Sequence, residues 1–407
     1  VTTFYVSKTG NDSNDGSTPV LAKLTIGAGI TAASNTDTVN IGAGTYSEEV
    51  SLGSLTDVII EGATGQPEDV IITSTGSSAT VEMYTDCTIK DLTVLYVEAA
   101  APDSSGYLNQ KAIKCDSSNF RVYHIDKCHI SSNRLAVGGL ADGSTVDRTV
   151  VKYVGTTAGC TVSGSAAYDG GATANGPYSF LGTYGPGATA TDGLWTSCLF
   201  LNWTEGASYA AKGPFINCTF GFKTCGHTSM RGVMTDGAFD DNINNCISFM
   251  DSTALAASFA AGCSAGDDPD CGMRNGGQEY CISHGWNDLG AAGPPQDFKG
   301  YVPPLKPSDS YDTSDVTTAG GLSALYIDYA SQNFRIRSGS LAYRTGDAAV
   351  TTPVYDLDGK PFRPGARAIG CYEYCFGHPT MGVSVSRQSG SLGVGSTLIG
   401  SMLGVAT

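Results

Sequence analysis

The chain has 407 residues with 39 acidic against 23 basic side chains, a formal charge of −16, and such a surface excludes backbone-reading nucleic-acid binding and docking on an anionic membrane. Only 15% of residues are charged while 53 are Gly and 16 are Pro, and no apolar run is long enough to span a bilayer. The composition is that of a turn-rich protein built from short strands.

In chain order, Val1 to Val6 reads as a strand and not as a signal peptide. A strand at Phe4 to Ser7 is followed by an acidic turn at Asn11 to Ser17 and a short helix at Leu24 to Ala33. The helix carries Leu24, Ile26, Ala28, Ile30 and Ala33, enough apolar surface to close the open end of a stack of strands. A strand at Thr38 to Ile41 completes residues 1–50.

From Val50 to Val154 the apolar residues come in short runs such as Val58-Ile59-Ile60, Val70-Ile71-Ile72 and Leu92-Thr93-Val94-Leu95. A phrase recurs there and beyond: Asp86-Cys87-Thr88-Ile89, Lys127-Cys128-His129-Ile130, Ser197-Cys198-Leu199-Phe200, Asn217-Cys218-Thr219-Phe220 and Asn245-Cys246-Ile247-Ser248-Phe249. It predicts a polar turn feeding a strand, with the five cysteines at equivalent positions. Their steps of 41, 70, 20 and 28 residues fit one to three coils of twenty-odd residues with loops let out between them. A solenoid follows, and small apolar side chains at equivalent positions suit an internal stack.

Two stretches interrupt the coils. Residues 155–192 and 254–307 read as loop excursions, which gather on one side of a solenoid and form its binding face. The chain has 13 cysteines. Outside the ladder, local bridges involving Cys263 with Cys271 or Cys371 with Cys375 are readings to weigh, as is zinc at Cys263, Cys271, Cys281 and His284, although paired C-x2-C spacing is missing. Residues 375–407 contain no acidic side chain and alternate Gly and Ser with Val, Leu, Ile and Met.

The runs Phe4 to Ser17, Ile26 to Ala33 and Asp37 to Tyr46, with Asn333 to Ser340, Asp356 to Pro361 and Ile369 to Tyr374, resemble the right-handed parallel β-helix family of pectate-lyase-like proteins, many of them extracellular or phage-borne. The resemblance covers Val1 to about Tyr374. It implies an all-β, single-stranded parallel β-helix with an N-terminal capping helix and long loop excursions. It leaves the chemistry open, because that family holds lyases, hydrolases, epimerases and plain glycan binders.

Of the residues able to carry chemistry, Lys212, His227 and Arg231 supply the charge neutraliser and base that β-elimination on a uronate needs. Asp236, Asp240 and Asp241 are the carboxylates for a glycosidase pair or a calcium ion, with Asp267, Asp268 and Asp270 a second group. No cofactor is otherwise expected. Trp195, Trp203, Tyr209 and Trp286 offer rings that could stack on sugars, whereas His124 and His129 read as structural. The expectation is a structural or glycan-binding protein of a virion or other extracellular surface. Its partners would be a glycan or other protein chains, and it would assemble through residues 377–407. The alternative is a polysaccharide lyase acting on an acidic glycan.

Overall fold

The computed structural model describes residues 1–97 apart from Ser77, the strand-bearing stretches 111–115, 121–132, 135–138, 144–153, 194–205, 215–225, 243–250 and 281–284, most of 325–374, and short strands between them. Two ten-stranded parallel sheets and a five-stranded one wind into a right-handed parallel β-helix. Each full coil visits the three in order. Thus Val58–Gly62, Val70–Ser74 and Val81–Met83 form one coil, and Cys87–Lys90, Thr93–Tyr96 and Lys111–Cys115 form the next. Burial alternates along these strands, as in Val58, Ile60 and Gly62 inward with Ile59 and Glu61 outward, because successive side chains point to opposite faces. The inward residues of neighbouring coils merge into one long core.

A turn of two residues usually joins the first sheet to the second. Its first residue is left-handed in Asp91, Lys127, Arg148, Ser197, Asn217 and Asn245, with φ between 44° and 57°, a conformation that Asn and Asp tolerate best. Its second residue points inward, and the backbone fixes the stack. His129, Val150, Leu199, Thr219, Ile247 and Ile282 donate their N–H groups to the carbonyls of Leu92, Cys128, Thr149, Cys198, Cys218 and Cys246 in turn.

The structure therefore corrects the cysteine phrase in one respect. Cys128, Cys198, Cys218 and Cys246 share the turn position, but Cys87 does not. Cys87 opens a first-sheet strand in register with Val58 and Tyr123, and Leu92 holds the turn position of its coil. Thr149 and Cys281 are further members, so Cys281 is a core residue of the ladder and not a loop ligand. Among the described residues eight cysteines are buried, Cys371 included. Burial pushes the Cys87 thiol up to about 12 and the Cys128 and Cys218 thiols well up, so they are packing groups and poor nucleophiles.

At the N-terminus the strand Thr3–Val6 pairs with Thr38–Ile41, and the helix Ile26–Ala32 buries Ile26, Gly29 and Ile30 against the first coil. Leu24, expected on the helix's apolar face, is 39% exposed because the helix starts after it. Carboxylates tie this cap together. Asp12 accepts hydrogen bonds from Leu24 N (2.8 Å) and Thr25 N (2.9 Å), Glu48 accepts from Ile26 N and Gly27 N (3.0 Å each), and Asp37 accepts from Thr2 N (2.6 Å) and Ser34 N (2.9 Å). The Thr25 N–H holds the Asp12 carboxyl below its ordinary 3.8, and the Thr2 and Ser34 N–H groups do the same for Asp37. A carboxyl depressed on folding stabilises the native state above its unfolded pKa and stops doing so as pH falls through the folded one. The cap should hold at neutral pH and loosen on acidification below about pH 4. Melting curves across that range are expected to fall less steeply for Asp12→Asn with Asp37→Asn than for the native chain, and parallel curves would refute the assignment.

The C-terminal signature does not continue the coils. Residues 325–374 lie along the outer face of the second sheet, where Leu199, Leu201, Ile247 and Ile282 form a second apolar cluster with Leu325, Tyr326, Phe334, Ile336, Ile369 and Cys371. The left-handed turn residues double as anchors: Ser197 Oγ donates to Tyr355 O (2.7 Å), Asn217 Nδ2 to Ala368 O (2.9 Å) and Gly370 O (3.0 Å), and Asn245 Oδ1 accepts from Asp347 N (2.7 Å). Gly370, at φ 95°, is pressed so close that a Cβ would lie 2.8 Å from Ile247 Cδ1.

The two expected excursions contain pieces of the solenoid. Leu181–Gly182 joins the five-stranded sheet beside Val137 and Gly138. In the second, Gln278–Glu279 and Ile282–His284 extend the two long sheets. Residues 375–407 lie outside the described residues.

Candidate functional site

The three faces of the solenoid differ in what they leave open. The second sheet is covered from Leu199 onward by residues 325–374. The first carries a row of side chains that satisfy one another across successive coils. Asn40 Nδ2 donates to Glu61 Oε1 (2.8 Å), Lys90 Nζ lies 2.8 Å from Glu61 Oε2, Arg148 Nε donates to Asp126 Oδ1 (3.0 Å), and Thr196 Oγ1 donates to Asp147 Oδ1 (2.7 Å). Burial, helped by the like charge of Asp126, raises the Asp147 pKa, and the Thr196 hydroxyl and Arg148 oppose it. These cross-strand pairs are what holds a parallel sheet's outer face together. His124 Nδ1 pairs with Thr145 Oγ1 at 2.8 Å on the same face. His129, on the second sheet, has its pKa lowered by burial.

The third sheet follows the longer connections of the early coils in sequence. Those from the second sheet to the third include residues 97–110 and 154–180, while those from the first to the second are mostly two residues. On the third sheet Val81 and Met83 point inward and Glu82 outward, and Ile113 and Cys115 point inward with Lys114 outward. Parallel register places Glu82 between Ser51 and Lys114. Lys114 Nζ lies 3.4 Å from Glu82 Oε1 and 5.6 Å from the centre of the Tyr84 ring, and Tyr84 Oη donates to Glu82 Oε2 at 2.6 Å. A carboxylate, an ammonium and a phenol thus share one partly exposed patch, with acceptor, donor and aromatic face side by side.

The sequence reading missed this patch. Glu82 and Lys114 are 32 residues apart, and each is an ordinary polar residue between two apolar ones. The reading also misplaced Trp195, which is fully buried and packed against Phe200 (5.5 Å between centroids) and Phe215 (6.3 Å). Its ring offers no face to a sugar. The signal was present: Ile89, Ile125, Val146 and Phe215, each two positions before a left-handed turn residue, are all inward, and Trp195 holds that position before Ser197.

Trp203 belongs to the second-sheet strand Leu199–Glu205, its backbone in register with Phe222. Tyr209, Lys212, His227, Arg231, Asp236, Asp240, Asp241 and Trp286 lie outside the described residues. In sequence, His227 and Arg231 fall between the strands Thr219–Cys225 and Val233–Met234, and the three aspartates between Val233–Met234 and Ile243–Asn244. Among the described residues no group of three or more His, Cys, Asp or Glu side chains is placed to hold a metal, and no helix is long and apolar enough to cross a membrane.

No family model matches the chain, and no curated protein sequence matches it. Among solved structures, the crystal structure of pectate lyase Pel9A is similar at 12% identity, with 92% of this chain and 96% of that chain covered and a TM-score of 0.43.

Proposed function

We propose that this protein is a glycan-directed β-helix whose ligand lies along the third sheet. The observation that carries the reading is the part-buried patch in which Glu82, Lys114 and Tyr84 meet on the outward side of the third sheet. Successive coils repeat at the spacing of hydrogen-bonded strands, about 4.8 Å, which suits an extended polymer with a short repeat. A phenol ring supplies the apolar contact and charged neighbours the directional hydrogen bonds that fix a polar ligand. Tyr84→Ala and Lys114→Ala are each expected to weaken binding of a glycan found by array screening about tenfold, about 1.4 kcal/mol, with melting temperature nearly unchanged. Calorimetric titration measures it, and full affinity in both variants would remove the third sheet from the site.

A second reading, β-elimination on an acidic glycan, is favoured by the ammonium of Lys114 beside the Tyr84 phenol, since both groups can move protons. Lys212, His227 and Arg231 would join them, with Asp236, Asp240 and Asp241 as the place for calcium. New absorbance from unsaturated uronate ends, screened over polyanions with calcium present, decides between binding and cleavage.

The reading extends to location. Buried thiols at Cys87, Cys128, Cys198, Cys218, Cys246 and Cys371, outside any disulfide, suit folding in a reducing compartment before display on a virion or another extracellular surface. Residues 377–407, uncharged except for Arg387 and spaced by Gly and Ser, suit attachment to partner chains by strand addition. Deleting 377–407 is expected to reduce the assembly mass seen by light scattering and to leave the melting temperature in place. An unchanged mass with a sharply lowered melting temperature would make the tail part of the fold.

A further inference from the structure

We infer that the glycan of the third-sheet site is uncharged, a hydroxyl-rich polymer and not a polyuronate. The inference rests on the glycan reading above and narrows its substrate class. The ammonium that would meet a uronate is already committed: Lys114 Nζ is 3.4 Å from Glu82 Oε1, and Glu82 is held in place by Tyr84 Oη at 2.6 Å. A uronate carboxylate that took a remaining Lys114 donor would stand beside Glu82 with one cation between the two anions, a like-charge repulsion that weakens its binding. The pattern repeats on the neighbouring face, where Lys90 is paired with Glu61 and Arg148 with Asp126. These three cations are each neutralised within the protein, and the chain as a whole carries −16, a field that slows the approach of any polyanion.

A neutral sugar meets none of these penalties. Its hydroxyls can donate to the free lone pairs of Glu82 and accept from Lys114 without breaking the pair, because a carboxylate has about four acceptor sites and an ammonium three donors. The Tyr84 ring adds an apolar surface for the carbon face of the sugar. The same three side chains therefore discriminate by charge while binding by hydrogen bonds and contact.

The test is affinity electrophoresis and titration of the whole chain against dextran and a soluble β-glucan as neutral polymers, and against polygalacturonate and alginate as polyuronates. Each is run at about 20 mM and about 500 mM salt, which spans long and short screening lengths. The expected result is retention by a neutral polymer, with affinity changing less than about twofold across the salt range. Glu82→Gln, which keeps an acceptor and frees the Lys114 charge, should gain polyuronate binding that falls steeply with salt. If that variant melts early, Lys114→Gln gives the second reading, with neutral-polymer affinity down about tenfold. Native protein that prefers a polyuronate tenfold or more, with steep salt dependence, overturns the inference and leaves the glycan site standing. Retention by none of the four polymers, with array screening also negative, overturns both.

Discussion

Trp195→Ala should be the most destabilising single change in the core, at about 3–5 kcal/mol. Among the described residues Trp195 is the largest fully buried side chain, and it sits in a cluster with Phe200, Phe215 and Phe220. Phe200 stacks on Phe220 at 4.6 Å, and Phe215 meets Phe220 edge-on at 5.1 Å, so the three phenylalanines are braced against one another and cannot collapse into the space left. Because each coil of a solenoid packs mainly on its neighbours, the damage should be regional. Coils before Tyr153 should keep their protection from hydrogen exchange while those around 194–250 lose it. Trp195→Phe provides the contrast. The indole Nε1 is buried without a hydrogen-bond partner, so phenylalanine gives up some volume but also removes an unsatisfied donor, and its cost should stay below about 1.5 kcal/mol. Denaturant melts of the two variants, compared with native protein, measure the difference. Equal losses in both would mean that the indole's volume does not support the cluster.

Arg367→Met should release the C-terminal segment from the second sheet. The guanidinium is 4% exposed and donates from Nη1 to Asn217 Oδ1 and Thr352 O, both at 3.0 Å, and from Nη2 to Pro353 O, with its carbon 4.5 Å from the centre of the Phe362 ring. Methionine keeps most of the packing and none of the donors. The buried Pro353 O and the part-buried Thr352 O then lose this donor, and Asn217 Oδ1 keeps only the long contact from Asn245 Nδ2 (3.5 Å), a loss of about 2 kcal/mol. Asn217 is the link that spreads the effect, since it also supplies the left-handed turn and donates to Ala368 O and Gly370 O. Once residues 325–374 lift, the outward Leu199, Leu201, Ile247 and Ile282 become an apolar sheet face open to other chains. Limited proteolysis within 325–374 should therefore accelerate, and aggregation on warming should begin earlier than in the native chain. Unchanged proteolysis and melting would show that the apolar contacts alone hold the segment down.

The local units follow from short-range patterns in the chain. Alternating runs such as Val58 to Gly62 and Val70 to Ser74 became strands, the apolar spacing from Ile26 to Ala32 became the capping helix, and the cysteines of Lys127-Cys128, Ser197-Cys198, Asn217-Cys218 and Asn245-Cys246 marked the turns. These features depend on residues next to each other in the chain, and period-two burial and a left-handed turn need nothing more. Tertiary structure decided the rest. Cys87 looks like its companions in sequence and differs only in the strands it pairs with. Glu82, Tyr84 and Lys114 meet because one coil happens to bring residue 114 onto the rung above residue 82, a distance set by the length of the intervening connection. The closing signature was legible as a motif, but its resting place on the flank depended on the outward Leu199, Ile247 and Ile282 and on the turn residues Ser197, Asn217 and Asn245, all more than 40 residues away in the chain. Register and long-range docking are decided by which surfaces remain apolar and unsatisfied once the coils have stacked, and that sum is not carried by any one stretch of sequence.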